Sequence, residues 1–433
     1  MPGFSPQNGR APLGKVDRWL VNYLTFAAIV FSGIYIYTYI YRSESATRLG
    51  VGMLTAIAML KALGVTPSSN SYRGRSSVLL VLLFAVALLN IMVSWSMNET
   101  ALRWVLWFSI VISLTRIVGA SDGSWTETLI SRLPHLFFVI YLTVIIMAHF
   151  TTDQYVGFAY HLSGLYGNLI MATGLFAAKT WQRSLWMLTG LVAIFFSGAG
   201  GALFTIPIMF VPFILYSTNS MPVKGIAVAG MLAVGAFFFV ESQLFVRFLD
   251  IKLNMGYDTG TAYDGMERLD RSKEMRLTLI QYGLDLAMQY PLGTGLGHTY
   301  AEQISGIMGV SHVHNGTISM LVELGLPGFA VVASLLLWMF ASILRNGSIS
   351  QQTKAFYFTY FFTIFGRSLS ENYTPFDLGN FFNFIFLVFT AYLFLYQRAP
   401  QRTLPPPGPP GRWLGGGPPR GFRPAMAPRL GAR

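Results

Sequence analysis

Three of the six histidines of this chain, His298, His312 and His314, share the stretch 268–328 with three arginines, Arg268, Arg271 and Arg276. Imidazole takes up and releases a proton near neutral pH without help from its surroundings. His314, followed by Asn315 at the mouth of an apolar run, is therefore the best general-base candidate. Guanidinium offers a planar fork that grips two phosphate oxygens at once. Arg276 with Arg271 or Arg268 would suit a diphosphate at headgroup level. The bland account pairs these arginines with Glu267, Asp270 and Glu274 on a solvated surface.

Other motifs carry less. His312 and His314 find no carboxylate at ligand spacing, so no metal is expected. The run LGTGLG (292–297) mimics a dinucleotide fingerprint but neither follows a strand nor opens a βαβ unit, and a tight turn is expected there. Arg367 and Glu371 stand one helical turn apart in FGRSLSENYTPFDLG, where they line a cavity or pair with each other. Lys61, Arg103 and Arg116 can snorkel, and His135, His149 and His161 read as structural. The absence of Cys excludes thiolate metal sites, iron–sulfur ligation and a thiol nucleophile.

These residues must be held by helices in a bilayer. The 433 residues are 53% hydrophobic and only 11% charged, against about 25% charged in a soluble domain. The expected fold is all-α, a polytopic membrane protein of about twelve spans. Uncharged windows long enough to cross run between Arg18 and Arg42, Arg75 and Glu99, Arg132 and Asp153, Asp153 and Lys179, Glu323 and Arg345, and Asp377 and Arg398. The window from Arg183 to Lys224 is double and breaks at SGAGGA (197–202). Weaker windows are 47–65, 101–119, 225–241 and 355–370.

Charge orients the bundle. Residues 1–18 carry three basic residues against Asp17, and seven arginines with no acid follow from Arg398 to the end. Most of the net charge of +12 thus sits on the two tails. Basic flanks stay cytoplasmic and attract anionic lipid. No base-reading module accompanies them, so no nucleic-acid role is expected. Both termini are expected inside. Residues 1–18 form a basic tail, 19–397 the bundle, and 398–433 a Pro/Gly-rich tail expected to be disordered. The long connection 242–315 then falls on the periplasmic face, with a helical stretch near 271–290. A connection of that length is more often functional than idle.

The segment resembles the O-antigen ligase and polymerase superfamily of bacterial membrane glycosyltransferases. The residues that carry the resemblance are His314, Asn315, Glu323, Gly325 and Gly328, preceded by Arg276 and the turn Pro291, Gly293 and Gly295. One departure is clear: the family usually places an Arg at an outer turn where this chain has Gly200. Arg271 or Arg367 is a candidate substitute. The resemblance implies a GT-C-like fold in the inner membrane, a periplasmic active site and no cofactor. It implies catalytic roles for His314, Arg276 and Glu323, with Arg271, Arg268, Asn315, Arg367 and Glu371 on the substrate side.

The donor it implies is a glycan on undecaprenyl diphosphate, and the acceptor is a second glycan or the lipid A core. Other polysaccharide export proteins are possible partners. Polymerisation of repeat units leads. Ligation to lipid A core is the alternative, and a lipid-linked sugar transporter or flippase is the alternative of another class. A transporter would show inverted repeats and broken helices at mid-bilayer.

Overall fold

The computed structural model describes residues 13–41, 45–66, 75–121, 123–150, 156–197, 200–216, 220–234, 265–297, 315–347, 349–371, 373–374, 376–378 and 380–395. They form helices and no strand. In chain order these are α1 (Lys15–Tyr41), α2 (Ser45–Leu63), α3 (Arg75–Val93), α4 (Met97–Gly119), α5 (Trp125–Phe150), α6 (Val156–Gly174), α7 (Thr180–Ser197) and α8 (Gly200–Leu215). There follow α9 (Met221–Val234), α10 (Gly265–Gln289), α11 (Gly316–Arg345), α12 (Gln351–Ser368) and α13 (Phe381–Leu395).

Twelve of these thirteen coincide with the twelve apolar windows. The remaining one, α10, is the helical stretch of the long connection. Five helices, α1, α2, α4, α5 and α11, are long and apolar enough to cross a membrane, and α3, α8, α9 and α13 contain shorter apolar helices. The chain is a multi-pass membrane protein. Its outward surface agrees, since Leu49, Leu60, Leu63 and Met92 are exposed, as lipid-facing side chains are.

The middle of the bundle is α6, whose described side chains from Leu162 to Gly174 are all buried. It packs against α5, α7, α8 and α12. Gly167 and Gly190 let α6 and α7 approach closely: a Cβ on Gly190 would lie 2.6 Å from the Gly167 carbonyl. Small residues serve helix contact in this way where lipid supplies no hydrophobic drive. Aromatic rings fill the rest, with Phe31, Phe137, Tyr166, Tyr360 and Phe381 fully buried. Elsewhere α1 packs on α5, α2 on α4, α4 on α13, α8 on α12, and α11 on both α3 and α10.

Basic side chains gather where certain helices end. Arg116 Nε donates to Val65 O after α2, Arg183 Nε to Ala177 O after α6, Lys224 Nζ to Leu215 O of α8, and Lys354 Nζ to Leu344 O of α11. Each cation meets the negative end of a helix dipole and carbonyls that have no intrahelical donor.

Candidate active site

The site is built around a break. α11 runs from Gly316 to Arg345, but Gly325 interrupts it with φ 70° and ψ 175°, and Pro327 follows. A left-handed, extended backbone of this kind is nearly confined to glycine. Proline has no N–H to give, so the helix loses donors for the carbonyls one turn back. The sequence window starts beside Glu323. The structure instead places a short helix, 316–324, ahead of the break, and Glu323 belongs to that short piece.

The carbonyls exposed by the break are taken by the glycine turn. Thr294 N donates to Val322 O at 3.0 Å and Gly295 N to Glu323 O at 3.1 Å. Leu326 N returns a bond to Pro291 O at 2.8 Å. LGTGLG is thus a turn, as expected. Its Gly293, Gly295 and Gly297 all have positive φ. Each also fills a notch that a side chain would clash with: Gly293 lies on the 323–325 backbone, Gly295 on Ser94 and Thr100, and Gly297 on the Arg103 guanidinium.

Asn90 locks the turn from below. This buried α3 side chain donates to Glu323 O at 2.6 Å and accepts from Leu296 N at 3.1 Å and Trp104 Nε1 at 3.0 Å. One amide therefore ties α3, α4, the turn and the break. Sequence reading gave Asn90 no role; its signal was a lone amide in an apolar span, where polar groups tend to bridge helices.

The start of α11 is tied to the connection after α12. Asn315 Oδ1 accepts from Thr317 N at 3.1 Å and Ile318 N at 3.0 Å, which caps the helix. Its Nδ2 donates to Leu369 O at 3.1 Å, and Gly316 N donates to Glu371 O at 2.9 Å. Gly316 lies flush on the Tyr373 backbone, where no Cβ fits.

Arg367 stands in the last turn of α12 and Glu371 lies in the connection that follows, where Glu371 N bonds back to Arg367 O at 2.9 Å. Both are buried, at 0% and 5% exposure. The Arg367 guanidinium ends against the α7–α8 turn: Nη1 would lie 3.0 Å from a Cβ on Gly201, beside Gly200. A cation from α12 therefore occupies the neighbourhood of the turn that carries none of its own. Burial pushes the Tyr373 hydroxyl up, and the Arg367 charge beside it pulls back in the opposite direction.

Further groups meet the glycine turn 292–297. Arg103 Nη2 donates to Glu99 at 3.0 Å, and Arg48 approaches Glu99 at 3.6 Å. Asp377 and Glu323 contribute to the field at Arg103. Arg103 was read as a snorkelling residue, yet it adjoins the site; its i,i+4 spacing from Glu99 was the available signal. Glu323 itself is buried, at 2% exposure.

Arg268, Arg271 and Arg276 fall on α10, which packs against α11; their side chains lie outside the described residues. His298, His312 and His314 lie outside them as well, as does most of 242–315. Among the described residues no group of His, Asp and Glu could hold a metal ion.

A family model described as O-antigen ligase matches residues 185–333, from α7 to beyond the break in α11. Over those residues the chain is similar to the O-antigen ligase family. The matched span contains the glycine turn, the Asn315 cap and Gly325. The match indicates a membrane enzyme of the O-antigen ligase or polymerase type. No curated protein and no solved structure matches the chain.

Proposed function

We propose that the chain polymerises undecaprenyl-diphosphate-linked oligosaccharide repeat units into a surface polysaccharide or exopolysaccharide at the bacterial inner membrane. The observation that carries this is the match of the O-antigen ligase family model over 185–333, the span that holds the glycine turn and the break in α11. The positive-inside rule puts the basic caps of α2, α6, α8 and α11, and both termini, in the cytoplasm. The glycine turn and the connection 242–315 then face the periplasm.

In the reaction, an acceptor hydroxyl attacks the anomeric carbon of the donor sugar. The bond from that carbon to the diphosphate oxygen breaks, and the lipid diphosphate leaves with the electron pair. His314, one residue before the Asn315 cap, takes the hydroxyl proton. Arg276, with Arg271 and Arg268, meets charge where it develops on the leaving diphosphate. That work needs no metal ion. Glu323 and the buried Arg367–Glu371 connection hold the helix start from which His314 emerges.

Ligation to the lipid A core uses the same donor and chemistry and differs only in acceptor. Transport remains a separate class, and the break in α11 resembles a transporter feature. Here, however, Thr294, Gly295 and Asn90 occupy the Val322 and Glu323 carbonyls, which leaves neither for an ion. The glycan profile of a deletion strain separates these readings. Single repeat units left on lipid or core support a polymerase. Long chains accumulating on undecaprenyl diphosphate would instead indicate a ligase, and donors stranded on the cytoplasmic leaflet a flippase.

A further inference from the structure

The turn 290–297 has two flanks besides the break, and neither is used by the chemistry above. At its start stands an aromatic pair. Trp95, in the link between α3 and α4, meets Tyr290 edge-on at 4.8 Å and 86° between ring planes. The Trp95 backbone N donates to Thr294 O at 3.0 Å, which ties the main chain beneath the indole to the turn. The indole is nevertheless 39% exposed, unlike Trp104 and Trp125, which are buried.

At the end of the turn stands the charged group. Arg103 abuts Gly297, where a Cβ would come within 2.5 Å of its Nε. Glu99 lies between Arg103 and Arg48, and all three side chains are partly open, at 31%, 31% and 58%. Arg103 and Arg48 flank one carboxylate, and each guanidinium presents a fork of N–H donors.

This combination fits one class of ligand better than others. A pyranose has a C–H face that packs on an aromatic ring and a rim of hydroxyls that both donate and accept. An indole fixed by an edge-on tyrosine supplies the face, and a carboxylate between two guanidiniums supplies partners for the rim. A diphosphate would use the arginines but not the carboxylate or the indole. A lipid tail would use the indole but not the ions. We infer that Trp95 and Tyr290, with Glu99, Arg103 and Arg48, form a saccharide subsite around the glycine turn, for a sugar ring of the donor or acceptor glycan. The inference rests on the glycosyl-transfer reading and adds to it a place for the sugar.

The test reads binding without turnover, so it stands apart from the fate of His314. The full chain in lipid nanodiscs is titrated with oligosaccharide released by mild acid from the host's own polysaccharide. Trp95→Ala and Glu99→Gln are each expected to weaken binding about tenfold, and Trp95→Phe only a few-fold, with inorganic pyrophosphate failing to displace the sugar. Unchanged affinity in both Trp95→Ala and Glu99→Gln, or full displacement by pyrophosphate, would overturn the subsite. In turnover assays on the same nanodiscs, a raised KM for the acceptor assigns the ring to the acceptor glycan, and a raised KM for the donor assigns it to the donor. If neither KM moves, the proposal fails.

Discussion

The side-chain amide of Asn90 donates to the main-chain carbonyl of Glu323 at 2.6 Å, across 233 residues of sequence. That bond satisfies a carbonyl which the break at Gly325 and the proline at Pro327 release from the helix. The same side chain accepts from Leu296 and Trp104. Asn90→Ala would strand two buried donors, Leu296 N and Trp104 Nε1, at about 1–3 kcal/mol for each that finds no substitute, while Glu323 O keeps its bond from Gly295 N. We expect a clear fall in the thermal midpoint of the detergent-solubilised protein. Asn90→Asp keeps the one oxygen that accepts from Leu296 and Trp104 but sets a buried carboxylate oxygen against the Glu323 carbonyl, so its fall should be at least as large. Equal midpoints for wild type and Asn90→Ala would show that the turn is held elsewhere.

Gly325 tests the break itself. Its backbone lies where other residues are strained by about 1–3 kcal/mol, and a Cβ would press on Leu292 and Gly293. Gly325→Ala should destabilise the chain and displace the turn. Gly33 is the contrast: it lies inside α1 with nothing within 4 Å of a Cβ. Gly33→Ala should be neutral or gain about 0.5–1 kcal/mol. Urea or thermal melts of the two variants check the opposite signs.

The Asn315 cap separates its two jobs. Asn315→Asp retains the acceptor for Thr317 and Ile318 but loses the donor to Leu369. Asn315→Ala loses both, and a lost cap typically costs about 1 kcal/mol. We expect Asn315→Asp to keep most of the stability yet lose transfer activity, because the tie to the α12–α13 connection sets where the preceding His314 stands. Full activity in Asn315→Asp would remove that tie from the account.

The helices were legible because hydrocarbon thickness dictates their length. Every apolar window found its helix, and even the double window split at the small-residue run. The turn at 292–297 was legible too, since glycine repeats without a flanking strand have few other uses. The break in α11 was not. Gly325 and Pro327 lie inside a window whose average hydropathy hides them, and a break is tolerated only if distant donors reach its carbonyls. Asn90 and Gly295 supply those donors from far along the chain, so no local pattern announces them. Arg103 escaped notice for a similar reason, because only the fold brings Gly297 against it. Arg367 was seen, but its burial against Gly201 depends on α8 packing on α12.

Arg276 is assigned to the diphosphate. Its replacement by Ala should lower kcat roughly 10²-fold, the scale for losing one donor that stabilises developing charge. Arg276→Lys should recover little, because an ammonium cannot form the two-pronged bond. Single-turnover transfer in reconstituted vesicles measures both. Substantial recovery by Lys would mean that charge alone suffices.

The most direct measurement is transfer of glycan from an undecaprenyl-diphosphate donor by the His314→Ala chain, reconstituted beside wild type at equal insertion. The account predicts that transfer is lost while the chain remains folded in the membrane. Transfer at the wild-type rate would contradict it.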